Sequence, residues 1–117
     1  MIKPAGPYTP MVRAGEWLVC SGQIGIDDGV LVEGGLEAEL RQAIANLRAL
    51  LATEAAVLDD VVKTTVFLTD MDHYAEMNAV YVDEFGDHRP ARSAIAVKAL
   101  PLGAIVELEA WALVPRD

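Results

Sequence analysis

The sequence contains a single cysteine, Cys20. It cannot build an internal disulfide framework, and its isolation fits a reducing compartment. No apolar run approaches the roughly 18 residues of a membrane-crossing helix, and the first seven residues lack the apolar stretch of a secretion signal. These absences lead to the expectation of a cytoplasmic protein without a membrane partner. Positive charge is also scarce. Nine Lys and Arg stand against 18 Asp and Glu, for a net charge of −9. The nine are scattered and form no basic stripe, so a nucleic-acid partner is not expected. His73 and His88 have no metal-ligand spacing and are expected at the surface. Gly34-Gly35 lacks the partner residues of a phosphate cradle.

What the chain does have is apolar surface. Hydrophobic residues make up 53% of its 117 positions, against about 45–50% in ordinary soluble domains. The length fits one domain, residues 1–117, which buries roughly two-thirds of its extended surface and needs no metal or disulfide to fold. The excess apolar surface points to contacts between copies of the chain.

Residues 1–10 hold three of the six prolines and read as an extended lead-in. Gly15-Glu16 is a turn before a strand at 17–24. Asp27-Asp28-Gly29 predicts a tight turn that returns a short strand at 30–32. Leu36, Leu40, Ile44, Leu47 and Leu51 recur at helical spacing and predict a helix over about 36–55. Glu37, Glu39, Arg41, Gln42, Asn46 and Arg48 fall mostly on its other side. The β-branched run 61–69 is a strand. Asp70 and Asp72 offer N-cap chemistry for a second helix, whose apolar side carries Tyr74, Met77, Tyr81 and Phe85 and which Gly86 ends. Strands at about 92–99 and 104–114 close the chain. The order β-β-α-β-α-β-β is an α+β fold with a mixed or antiparallel sheet.

Two helices cover one face of such a sheet, and the other face should then be polar in a monomer. In the last strand Val106, Leu108, Ala110, Ala112 and Val114 take one side. Ile105, Trp111 and Leu113 share the opposite side with Glu107 and Glu109. In the 61–69 strand Val62, Val66 and Leu68 are expected on one side, Val61 and Phe67 on the other. A second copy of the chain is the expected cover for the second face.

Glu107 and Glu109 stand inside an apolar strand. Each either reaches solvent or a basic partner, or forms part of a site in which burial raises its pKa. Arg92 shares its side of a strand with the small residues Ala94 and Ala96. It is either a strand-edge ion-pair residue or a guanidinium with room to grip a ligand carboxylate bidentately. Ser21, followed by Gly22, could hydrogen-bond a ligand or serve the fold. No histidine stands near it in a triad-like context, which argues against a nucleophile. Cys20 alternates with it and is expected in the core.

The run from Arg89-Pro90-Ala91-Arg92-Ser93-Ala94 through Leu100-Pro101-Leu102-Gly103 to Glu107-Leu108-Glu109-Ala110 resembles the C-terminal signature of the RidA (YjgF) family of imine deaminases. Gly6-Pro7-Tyr8, Ser21-Gly22-Gln23-Ile24, Val62-Lys63-Thr64-Thr65-Val66 and Met77-Asn78-Ala79-Val80-Tyr81 match in the same order. The resemblance implies a chorismate-mutase-like subunit, with a mixed sheet and two helices on one face. It implies a homotrimer with clefts between neighbours. It also implies cofactor-free hydrolysis of 2-aminoacrylate and related 2-imino acids to 2-oxo acids and ammonia. Carried onto this sequence, Arg92 binds the substrate carboxylate and Glu107 activates the attacking water. Tyr8, Ser21 and Asn78 line the cleft, and Gly22 and Ala94 contribute backbone groups. Ala94 stands where many deaminating members carry cysteine. The alternatives are a trimeric small-carboxylate (2-oxo acid) binding protein without turnover and an endoribonuclease or translation inhibitor, an activity reported for some relatives.

Overall fold

A computed structural model describes residue 4 and residues 6–115. The chain runs β1 (Met11–Ala14), β2 (Trp17–Gln23), β3 (Ile26–Asp27), β4 (Val30–Leu31), α1 (Gly35–Ala52), β5 (Val61–Leu68), α2 (Tyr74–Phe85), β6 (Ala91–Ala96) and β7 (Val106–Leu113). Five strands form one sheet in the order β1-β2-β7-β5-β6. The β5–β6 pair is parallel and the other pairs are antiparallel, so the sheet is mixed. A parallel pair needs a crossover, and α2 supplies it.

One face of the sheet carries Leu18, Cys20, Val66, Leu68, Val106, Leu108, Ala110 and Ala112. These form a single cluster with Leu40, Ile44, Leu47 and Leu51 of α1 and Met77, Tyr81 and Phe85 of α2. Both helices therefore cover the same face. Each fully buried leucine in this cluster contributes about 1.5–3 kcal/mol by leaving water. Arg41 on α1 pairs with Asp83 and Glu84 of α2 at 2.8 and 2.7 Å and fixes the helix–helix register. The opposite face of the sheet is open in the single chain and apolar in large part. Trp111, Leu113 and Ile95 are 44%, 40% and 45% exposed there. Trp111 meets Trp17 edge to face at 5.9 Å.

The structure departs from the sequence-based expectations at identifiable points. The lead-in is followed by a strand, β1, which hairpins onto β2 through Gly15-Glu16. In β5 the pairing shifts between Val61 and Lys63. This irregularity puts Val61 in the core and Val62 at the surface, the reverse of simple alternation. On α1, Glu39 and Asn46 are buried rather than exposed. Glu39 accepts from the Ile105 backbone N–H at 2.9 Å, and Asn46 donates to the carbonyls of Ile24 and Ile26 at 3.2 and 2.9 Å. Both bind backbone groups that lie outside the five-stranded sheet, which satisfies groups that burial would otherwise penalise. Helix α1 ends at Ala52, and Ala55 at φ 56 follows it. The Asp28-Gly29 turn forms as expected, with φ of 53 and 80.

Candidate active site

Two clusters of polar side chains lie on opposite faces of the sheet. The first is built around Arg92. The register pairs Arg92 with Thr64, which is fully buried, so Arg92 points to the helix-covered face. It leaves from the edge strand β6 and lies against α2. Nη1 donates to Asn78 Oδ1 at 2.7 Å and lies 3.6 Å from Met77 Sδ, and Nη2 donates to Tyr74 Oη at 3.0 Å. The guanidinium carbon stands 5.0 Å from the Tyr81 ring centroid and 5.5 Å from that of Tyr74. Tyr74 and Asn78, like Met77 and Tyr81, are four residues apart and share one helix face. Tyr81 is in turn tied by its hydroxyl to the buried Thr64 hydroxyl at 2.7 Å, and burial pushes its phenol pKa up. None of the ion pairs among the described residues involves Arg92. Its partners are an amide, a thioether, a phenol and two aromatic faces, all neutral. A half-buried guanidinium held this way without a counter-charge has the chemistry to receive an anion. Ala94, two residues along the same face, is partly buried and small.

The second cluster is built around Glu107. In β7 it pairs with Phe67 and points to the open face. Opposite it, the β2–β7 register shifts between Cys20 and Gln23, so that one extra residue of β2 bulges out at Ser21-Gly22. Such bulges re-aim side chains. A cavity of about 400 Å³ is lined by Tyr8, Ser21, Gly22, Pro101, Glu107 and Glu109. A larger one of about 1220 Å³ also reaches Glu107, with Ile24 and Leu102 on its wall. Gly22 leaves room for the Glu107 side chain in this position: a Cβ there would lie 2.7 Å from Glu107 Cδ. Burial, and secondarily the neighbouring Glu109 carboxylate, raises the Glu107 pKa. The carboxylate is thereby made a better proton acceptor than a solvated glutamate. Ser21 Oγ donates to the Thr9 carbonyl at 2.7 Å and pins the segment that carries Tyr8.

The seven residues expected in one cleft therefore fall into two sets within a single chain. Arg92, Asn78 and Ala94 form one set. Tyr8, Ser21, Gly22 and Glu107 form the other. Arg92 is level with Thr64 and Glu107 with Phe67, on strands flanking β5. They are separated by about 10 Å along the strands and two strand spacings across, and they project to opposite faces. The expectation that this guanidinium and carboxylate meet is not met by one copy of the chain.

Sequence reasoning missed Tyr74 and Tyr81, which hold Arg92 beside Asn78, and Thr64, which fixes Tyr81. Tyr74 was expected to pack as an apolar residue, but it is 41% exposed and uses its hydroxyl. The four-residue spacing of Tyr74 and Asn78 was the available signal. Pro101 and Leu102 on the Glu107 side carried no signal beyond their place in the turn. Neither histidine is simply a surface residue. His88 Nε2 bonds the Val61 carbonyl at 2.7 Å, and His73 Nδ1 is buried without a partner. Cys20 is in the core as expected, and burial pushes its thiol up to about 11, which makes it inert. Among the described residues no helix is long and apolar enough to cross a membrane, and no three potential ligands cluster as a metal site.

The family model described as Endoribonuclease L-PSP matches residues 1–114. The chain belongs to this family, the RidA/YjgF family. A RutC family protein of Pyrococcus horikoshii is 43% identical over 112 residues, covering 94% of this chain and 89% of that protein. A mouse protein named 2-iminobutanoate/2-iminopropanoate deaminase is 42% identical over 110 residues, covering 92% and 82%. The crystal structure of RidA from an Antarctic Psychrobacter superposes with a TM-score of 0.91 at 34% identity, covering 96% of this chain and 92% of that one. The α+β architecture with its mixed sheet is thus the RidA fold.

Proposed function

We propose that the chain hydrolyses 2-imino acids, and their enamine tautomers such as 2-aminoacrylate, to 2-oxo acids and ammonia. It does so as a homotrimer, in clefts where the Arg92 set of one protomer faces the Glu107 set of the next. The carrying observation is the Arg92 guanidinium, held by neutral partners and without a carboxylate. The relatives named as imine deaminases supply the reaction class. The exposed apolar face with Trp111, Leu113 and Ile95 supports cover by another copy, and Arg92 leaves from an edge strand.

The chemistry needs little machinery. Arg92 grips the substrate carboxylate and fixes the C=N carbon, with Asn78 beside it and the backbone at Ala94 as a further contact. Glu107 takes a proton from a held water as the water oxygen bonds to that carbon, and the C=N electron pair moves to nitrogen. The protonated Glu107 gives that proton to the nitrogen, leaving a carbinolamine. Its carboxylate then takes the carbinolamine hydroxyl proton and passes it to the nitrogen as the C=O bond forms and the C–N bond breaks. The products are the 2-oxo acid and ammonia, and Glu107 is again a carboxylate. The imine is already electrophilic, so orientation and a desolvated base suffice without a cofactor. A cytoplasmic location accords with the unpaired, buried Cys20.

The test is release of ammonia from 2-iminopropanoate generated in situ. Arg92→Ala removes one side of a charge-assisted, partly desolvated contact worth about 2–5 kcal/mol. The expected loss in kcat/KM is roughly 30-fold to a few thousand-fold, with the trimer intact by mass. An Arg92→Ala protein of wild-type activity refutes the assignment. Binding of 2-oxo acids without turnover of any imine would leave the binding protein in its place. The net charge of −9 weighs against RNA as substrate.

A further inference from the structure

Three non-glycine residues among those described have a positive φ: Asp28, Ala55 and Leu102. Two have ordinary reasons. Asp28 is the first residue of an Asp-Gly hairpin turn, where aspartate is tolerated. Ala55 closes α1, and Ala56 N–H returns to the Leu51 carbonyl at 3.0 Å, the geometry of a helix stop.

Leu102 has no such reason. Pro101 to Ala104 is a tight turn closed by Ala104 N–H on the Pro101 carbonyl at 3.1 Å. Leu102 sits at φ 58, ψ 21 and Gly103 at φ 76, so both central residues are left-handed. That turn type favours Asn, Asp or Gly at its first central position. A γ-branched apolar residue gains nothing there from the backbone and is strained by it. Its side chain is also 61% exposed, so packing within the chain does not compensate. It lines the larger cavity that reaches Glu107, as do Ile24 and Pro101. An observed backbone outlier beside a site is a reason to look for function.

We infer that Leu102 selects the substrate by packing against its side chain. The Glu107 cavity then favours 2-imino acids with apolar side chains of several carbons over those with short or acidic ones. The inference rests on the proposed imine hydrolysis and adds the substrate class. Asp27, Asp28 and Glu109 around the same cavities set a negative field against acidic side chains.

The experiment uses the full chain and Leu102→Asn, which keeps a residue suited to the turn and removes the apolar group. Leu102→Gly serves as a second variant. Imines are generated in situ from leucine, alanine and glutamate by an amino-acid oxidase. The readout is the ratio of kcat/KM for the leucine-derived to the alanine-derived imine. Contacts of this kind in apolar pockets discriminate by about 10- to 200-fold. Wild type is expected to prefer the leucine-derived imine and to disfavour the glutamate-derived one. Both variants are expected to lower the leucine-to-alanine ratio at least about tenfold while unfolding no earlier than wild type. An unchanged ratio in both variants overturns the role of Leu102, even when Arg92→Ala is inactive and imine hydrolysis stands. A wild type that hydrolyses none of the three overturns the proposed function, and the substrate class with it.

Discussion

Gly22→Ala isolates the position of Glu107 from its chemistry. Gly22 does not adopt a positive φ, so the backbone accepts alanine. The added Cβ would stand 2.7 Å from Glu107 Cδ and 3.0 Å from Cγ. Carbon atoms rest at about 3.5–4.0 Å, so the carboxyl group must move by about 1 Å. Gly22 lies in the β2 bulge facing β7, whereas the far end of a glutamate side chain is free to rotate. Stability should therefore change little. Forcing the side chain off its rotamer costs about 0.5–1.5 kcal/mol. Loss of glycine freedom in the unfolded chain returns about 0.4–1 kcal/mol. Activity should change much more, because a base misplaced by about 1 Å loses roughly 100-fold. The assay is kcat/KM on alanine-derived imine beside thermal unfolding, repeated in a Glu107→Gln background. There the base is already gone, and Gly22→Ala should cost far less than in wild type. A Gly22→Ala protein within twofold of wild type, or an equal loss in both backgrounds, would refute the dependence on Glu107 placement.

Further outcomes follow for Glu107 and for the Arg92 set. The Glu107 pKa is raised by burial and by Glu109, so the acid limb of the kcat/KM–pH profile should lie above the ordinary glutamate value of about 4.3. The fold favours the neutral form of this group. That contribution is complete below the unfolded value and is lost as pH rises through the raised folded value. Glu107→Gln should therefore unfold at higher temperature than wild type at pH 7 but not at pH 4; a pH-independent difference would contradict the burial. Tyr81→Phe breaks the 2.7 Å bond to Thr64 and strands a buried hydroxyl, for a loss of about 1–3 kcal/mol in unfolding free energy. It keeps the ring against Arg92, so Tyr81→Leu should lower kcat/KM by a further factor of roughly 2 to 30. Equal activity in the two variants would show that the ring does not position the guanidinium.

Periodicity made the helices and the main strands legible, because burial on one face of α1 and β7 imposes a spacing that the sequence must carry. It failed where the spacing is broken by design or overridden by hydrogen bonding. The irregularity between Val61 and Lys63 exchanged two valines between faces. Glu39 and Asn46 went inward because backbone groups of Ile24, Ile26 and Ile105, outside the main sheet, take them as partners. No local pattern encodes such a pairing. The candidate site was legible in its parts, since Arg92 and Glu107 were each out of place in their strands. Its arrangement was not, because a two-residue period assigns faces within a strand but not between strands. Strand pairing decides that Arg92 follows Thr64 into the helix-covered face while Glu107 follows Phe67 out of it. A cation without an anion on one face and a desolvated carboxylate on the other are each incomplete in a single chain. The apolar open face gives the chain a reason to associate. Under the proposed function association and catalysis would have one cause, the joining of the two half-sites between copies, so a variant that blocks assembly should lose hydrolysis with Arg92 and Glu107 both untouched.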